Sequence, residues 1–190
     1  MGRVLASLLV LVALAAGGAV YYLQVYAYYD ELPDRESFPL MPAEGLVAQP
    51  VPITGFEGID SDSSPLRYRA CFTIEATALG DFQTYDAPTP LIAPGWFDCF
   101  DAEAIGRALE GGRATAYLSE ADFEYGFDRV VAAHPDGRAF AWHQLNPCGE
   151  ALYNGEPLPV DCPPPPESVT EELRSCPTCW MTSGWTPSIL

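Results

Sequence analysis

The chain has 190 residues, with 26 acids against 9 bases, a formal charge of −17 and a pI near 4.1. That length suits one domain, and that charge excludes a phosphate-backbone partner or docking on anionic lipid through a basic patch. Apolar residues make up 48% of the chain and exclude full disorder, while 19 prolines and 16 glycines predict much loop.

Residues 4–23 read VLASLLVLVALAAGGAVYYL and carry no charge. At about 1.5 Å per residue they span about 30 Å, the thickness of a bilayer hydrocarbon core. Arg3 precedes the run, and Asp30, Glu31 and Asp34 follow it. The positive flank predicts a cytoplasmic N-terminus and an exported remainder. Tyr21, Tyr22, Tyr26, Tyr28 and Tyr29 gather at the outer end, where amphipathic rings suit the interface. The rival reading is a cleaved signal peptide at Ala13-Leu14-Ala15, but the apolar run continues well past that site. Gly17-Gly18 lacks the small-xxx-small period of a helix-pairing face and reads as tolerated glycine.

The sequence therefore predicts a transmembrane anchor over 1–29, a stalk over 30–50 rich in proline and acids, a folded periplasmic domain over 51–162 and a proline-rich mobile tail over 163–190. Within the domain, 66–74 alternates as a strand. Leu66, Tyr68, Ala70, Phe72 and Ile74 lie on one face, with Arg67, Arg69, Cys71 and Thr73 on the other. Pro88, Pro90 and Pro94 mark an extended link. Asp101 caps a helix over 102–110, with Ile105 and Leu109 on its apolar side, and Gly111-Gly112 stops it. A short strand is predicted over 114–118. Residues 127–134 and 138–145 flank Pro135-Asp136-Gly137, a hairpin turn. Asn154-Gly155 predicts a second turn between short strands near Leu152 and Leu158. The fold class is α+β: an N-terminal transmembrane helix, then a small, mostly antiparallel β domain with one α-helix, stapled by disulfides.

Six cysteines in an exported chain predict disulfides, with fifteen connectivities open. Cys148 and Cys162 bracket the Asn154-Gly155 turn, which brings them together and leaves Cys71 for Cys99. Cys176-Pro177-Thr178-Cys179 forms a CxxC in the tail, a redox pair or half a metal site on one reading and a local disulfide on the other.

Arg67-Tyr68-Arg69-Ala70-Cys71-Phe72, Ala93-Pro94-Gly95-Trp96-Phe97-Asp98-Cys99-Phe100-Asp101 and the segment 130–143 resemble an uncharacterised family of short single-pass membrane proteins from rhodobacter-type alphaproteobacteria. The likeness runs from the anchor to about Cys162. It implies compartment and topology, with no activity to carry over. Some members bear a histidine kinase label, but this chain has no helical phospho-acceptor histidine and no glycine-rich ATP pocket.

Candidate chemistry is sparse. Asp60-Ser61-Asp62-Ser63-Ser64 begins like a calcium loop, but Pro65 stands where glycine should turn it and Cys71 where a bidentate glutamate should close it; a polar turn is the simpler reading. Arg67 and Arg69 suit a carboxylate or phosphate clamp, or internal ion pairs. His143, oriented by Asp128 or Asp98, is a candidate base, although no GxSxG, HExxH or Walker loop accompanies it. His134 sits at a turn and reads as solvated. Trp96, Phe97 and Phe100 crowd around Cys99 as a ligand surface or as packing over a disulfide. No cofactor and no metal site is predicted. The favoured role is a non-catalytic accessory protein binding an inner-membrane or envelope partner. Thiol-redox or metal handling by the tail, an unfamiliar enzyme site at Arg69, Asp128 and His143, and an extracytoplasmic sensor module are the alternatives.

Overall fold

A computed structural model describes residues 2–170. Helix α1 (Gly2–Val25) is the apolar run. Seven antiparallel strands follow: β1 (Asp30–Glu31), β2 (Ser37–Leu40), β3 (Gln49–Asp60), β4 (Arg69–Ile74), β5 (Thr115–Glu124), β6 (Phe127–Ala133) and β7 (Arg138–Leu145). Helix α2 (Ala102–Glu110) precedes β5, and α3 (Pro147–Asn154) follows β7.

The sheet order is β1-β3-β4-β7-β6-β5, with β2 also on β3. Strand β3 is long enough to serve two neighbours on one edge. Its first half pairs with β2 and its last residues with β1. A bulge between Thr54 and Glu57 bends it there, with Gly55 in the left-handed region at φ 63°. The bend curls the sheet until β2 reaches the far edge, where Met41 N donates to Leu118 O of β5 at 2.9 Å and Ser119 Oγ to Pro39 O at 2.6 Å. The chain at 83–85 covers the rest of that edge, through Leu118 N to Gln83 O and Tyr85 N to Ala116 O, both 2.9 Å. Both long edges of the sheet are thereby occupied.

Each face of the curled sheet carries a core. Inside lie Phe38, Leu40, Val51, Ile53, Phe56, Ala70, Phe72, Ile74, Val131, Ala133, Ala139 and Ala141. Alanines on β4, β6 and β7 leave room for the Phe38–Phe72 stack, with centroids 4.7 Å apart. Outside lie Ile59, Cys71, Ala116, Val130, Ala132 and the fully buried Trp142. They are covered by Phe97 and Phe100 of the proline-rich arm (85–100) and by Ile105 of α2. The Cys71–Cys99 disulfide ties this arm to β4, and Cys148–Cys162 ties α3 to the chain beyond it.

The α+β architecture, the 102–110 helix, the Pro135-Asp136-Gly137 hairpin and the disulfide staples agree with the sequence reading. Asp101 Oδ1 accepts from Ala104 N at 3.0 Å, as a helix cap should. Four local readings change. Residues 30–50 are not an irregular stalk: they contribute β1 and β2, and Phe38 and Leu40 are fully buried. Pro39 of β2 and Pro50 of β3 are register partners, so the two residues without an N–H donor face each other. The strand predicted from Leu66 begins at Arg69, because Pro65–Arg67 forms a 3₁₀ turn capped by Ser64 Oγ. The strand predicted over 114–118 runs on to Glu124, with register shifts along its pairing to β6. Asn154-Gly155 ends a helix instead of linking strands: Pro147–Asn154 is α3, and Gly155 at φ 70° closes it. That helix still brings Cys148 near Cys162. The predicted mobility of 163–190 and the CxxC at Cys176 and Cys179 concern a segment that lies, after Thr170, outside the described residues.

Phe38→Ala tests whether the 30–50 segment belongs to the core. We expect a loss of about 3–5 kcal/mol in urea unfolding; a stalk residue would leave the midpoint unmoved.

Candidate functional site

The candidate base His143 lies on β7 opposite Arg129 of β6. Its ring sits between Tyr68 (centroids 4.6 Å) and Phe123 (4.0 Å). Arg129 Nε donates to His143 Nε2 at 2.9 Å, so that nitrogen is an acceptor. The other nitrogen, Nδ1, must then carry the proton and donates to Pro65 O at 2.6 Å. Burial and the neighbouring Arg129 push the imidazole pKa down to about 3. Arg129 is itself held by Glu120 at 2.9 Å and lies 4.9 Å over the Tyr68 ring. Burial also pushes the Tyr68 hydroxyl up to about 12. A histidine with both nitrogens bound and its cationic form suppressed holds the turn at Pro65; it has no free lone pair to accept a proton.

Asp128 does not orient this ring. Successive strand residues face opposite ways, so Asp128 and Arg129 point to different faces of β6. Asp128 Oδ2 accepts from Tyr85 OH at 3.0 Å, and Oδ1 accepts from Asp122 N and Asn146 Nδ2, both at 2.9 Å. Asn146 Oδ1 in turn caps α3 through Cys148 N and Gly149 N at 3.0 Å. Gln144 extends the network, accepting from Thr89 N at 2.8 Å and Trp142 Nε1 at 3.1 Å. Burial and the Asp128 carboxylate both push the Tyr85 hydroxyl upward. This network ties β6, β7, α3 and the arm together. Asp98, the other candidate orienter, is exposed on the arm.

Arg69 is buried, with 4% of its surface exposed. Its hydrogen bonds go to backbone carbonyls. Nε donates to Leu91 O (2.8 Å), Nη2 to Ile92 O (3.2 Å), and Nη1 to Leu66 O (2.8 Å) and Tyr68 O (2.6 Å). Burial lowers its pKa to about 10, so the guanidinium stays charged near neutrality. The clamp and ion-pair expectations both give way to a carbonyl staple, because the arm presents backbone oxygens with no N–H partners. Arg67 parts from Arg69 at the 3₁₀ turn and lies over the rings of Tyr28 (5.9 Å) and Tyr29 (5.4 Å).

The calcium-like loop is a polar turn: Asp60 Oδ1 accepts from Ser61 N at 2.8 Å, and the Ser61 and Ser63 hydroxyls share a hydrogen bond at 2.9 Å. Among the described residues, no group of three or more His, Cys, Asp or Glu is placed to hold a metal. His134 lies at the hairpin end in a groove with Arg107, Arg113 and Arg138. Arg107 and Arg138 are engaged there by Glu103 and Asp136.

The aromatic cluster divides its work. Phe97 and Phe100 are core. Trp96 packs at the margin of that core, and its Nε1 donates to Val25 O at 2.7 Å, capping a carbonyl left open at the end of α1. Tyr26 stacks on its ring at 5.8 Å and Tyr29 meets it edge-on at 5.9 Å. The sequence signals both partners, the tyrosine cluster and the Pro-Gly-Trp, but not their meeting across 71 residues.

The molecule thus defined is an apolar N-terminal helix joined to a disulfide-stapled, curled antiparallel sheet. Residues 39–163 match the model of a family of unknown function, DUF6446, and the chain belongs to that family. Comparison with curated proteins and with solved structures returns no match.

Two measurements check these assignments. His143 has a depressed folded pKa, so the unfolded state binds the extra proton and stability falls as pH drops from about 6.5 towards 3. The difference in urea midpoint between the native chain and His143→Gln should therefore shrink steadily across that window; a pH-independent difference would refute the neutral imidazole. Arg69→Lys cannot reach four carbonyls with one ammonium. We expect a loss of about 1–3 kcal/mol and faster amide exchange along 91–93.

Proposed function

We propose that the protein is a single-pass inner-membrane protein with a cytoplasmic N-terminus, which presents a periplasmic binding domain to an inner-membrane or envelope protein and acts without catalysis. Several observations support this reading. The stretch Gly2–Leu23 has mean hydropathy 2.3 and none of it is buried against the domain, as a lipid-facing helix requires. Arg3 before it and the acids after it favour export of the domain. Two disulfides suit an oxidising compartment. The side chains best fitted for chemistry, His143, Asp128 and Arg69, already spend their hydrogen bonds on the fold.

The observation that carries the reading is the Trp96–Val25 junction. A domain on a loose tether samples all orientations and gains only local concentration. A domain fastened to the end of its anchor offers one set of surfaces at one height, which favours a fixed partner in the same membrane.

Alkaline phosphatase fused at the C-terminus should be active and a fluorescent protein fused there should be dark; a bright cytoplasmic fusion would overturn the topology. Purification of the full chain in mild detergent at native expression should recover a stoichiometric envelope protein. Trp96→Ala should weaken that recovery while leaving the disulfides intact, and repeated recovery of the chain alone would refute the binding role.

A further inference from the structure

The arm has one feature that its packing role does not explain. Ile92 is 86% exposed on a segment that is otherwise tied down. Arg69 grips the carbonyls of both Leu91 and Ile92, so the backbone is fixed while the Ile92 side chain is held outward. Four residues on, Trp96 is bonded to the last turn of α1. Tyr26, exposed, stacks on its ring, and Arg67 lies over Tyr29 and the exposed Tyr28. Among the described residues, Arg67 has no carboxylate within ion-pair distance.

The link between helix and sheet limits how far this group can stand from the bilayer. Val25 ends α1 and Asp30 begins β1. Five residue steps reach at most about 18 Å when fully extended. This link is not extended, since Tyr26 N and Ala27 N still donate to Tyr22 O.

We propose that the 90–96 loop and Arg67 seat the domain on the membrane leaflet into which α1 emerges, with Ile92 at the acyl boundary and the Arg67 guanidinium on a headgroup phosphate. This rests on the reading of α1 as a membrane anchor. The occupant is a zwitterionic phospholipid surface. A domain with this excess of acids is repelled by anionic lipid, and a single arginine matches one phosphate at a time. Amphipathic aromatic rings and an aliphatic tip suit the headgroup boundary, to a depth of about 5–10 Å. The turn before β3 offers an internal comparison. Leu46 is 96% exposed, yet it lies beyond the opposite end of β3 from the residues that pair with β1.

The test uses the full-length chain in phosphatidylcholine vesicles carrying brominated acyl chains. An environment-sensitive fluorescent amino acid is placed at position 92 and, in a second preparation, at position 46. Emission from 92 should shift to the blue and be quenched by the bromines, whereas emission from 46 should match that in water. Arg67→Gln should reduce quenching at 92 with the near-ultraviolet circular dichroism unchanged. Equal, water-like emission from both positions in vesicle-bound protein overturns the seat and leaves the anchor standing. Failure of the chain to float with vesicles removes the anchor itself, and the seat with it. Shielding of 92 in native membranes but not in pure lipid assigns the loop to a protein partner and overturns the lipid seat.

Discussion

The buried charge of Arg69 is the interaction on which the rest of this structure depends. The outer face of the sheet is covered by an arm rich in proline, which cannot satisfy its own carbonyls through regular secondary structure. Two of those carbonyls turn inward over β4 and are met by one guanidinium. The Cys71–Cys99 bridge fixes the arm covalently two residues along the same strand. Staple and bridge together hold Phe97 and Phe100 against Trp142, and they place Trp96 where it can cap α1. The junction between α1 and the domain is therefore a consequence of how the second core is closed.

The inner core has a different logic. Its sheet curls because β3 is bulged at a left-handed glycine and divides one edge between two partners. Phe38 and Leu40 close the inside from β2, a strand drawn from the segment that follows α1. The chain thus enters its fold within a few residues of leaving α1. Little length is left for a tether, and the orientation of the domain becomes a structural property.

The polar groups that look chemical in the sequence serve as joints. His143 keeps a neutral ring between two aromatic side chains because burial disfavours the cation and an arginine takes its acceptor nitrogen. Asp128 spends its carboxylate on a backbone amide, a side-chain amide and a phenol. Burial makes an unpartnered polar atom costly, so in a small domain with few regular elements these groups are consumed in satisfying one another.

The sequence by itself determined what depends on neighbours along the chain. The apolar run of α1, the Asp101 cap with Ile105 and Leu109, the Pro135-Asp136-Gly137 turn and the alternation of Tyr68, Ala70, Phe72 and Ile74 were all legible, because period and turn chemistry act over a few residues. The pairing of Cys148 with Cys162 was legible for the same reason, although a helix and not a hairpin brings them together. Only the tertiary structure decided what depends on distant chain. That β2 belongs to the core, that Arg69 reaches the carbonyls of Leu91 and Ile92, and that Trp96 caps α1 all follow from contacts between segments tens of residues apart. Proline and acid content described the 30–50 segment correctly and still misplaced it, since composition records what a segment can expose and not which edge remains for it to fill.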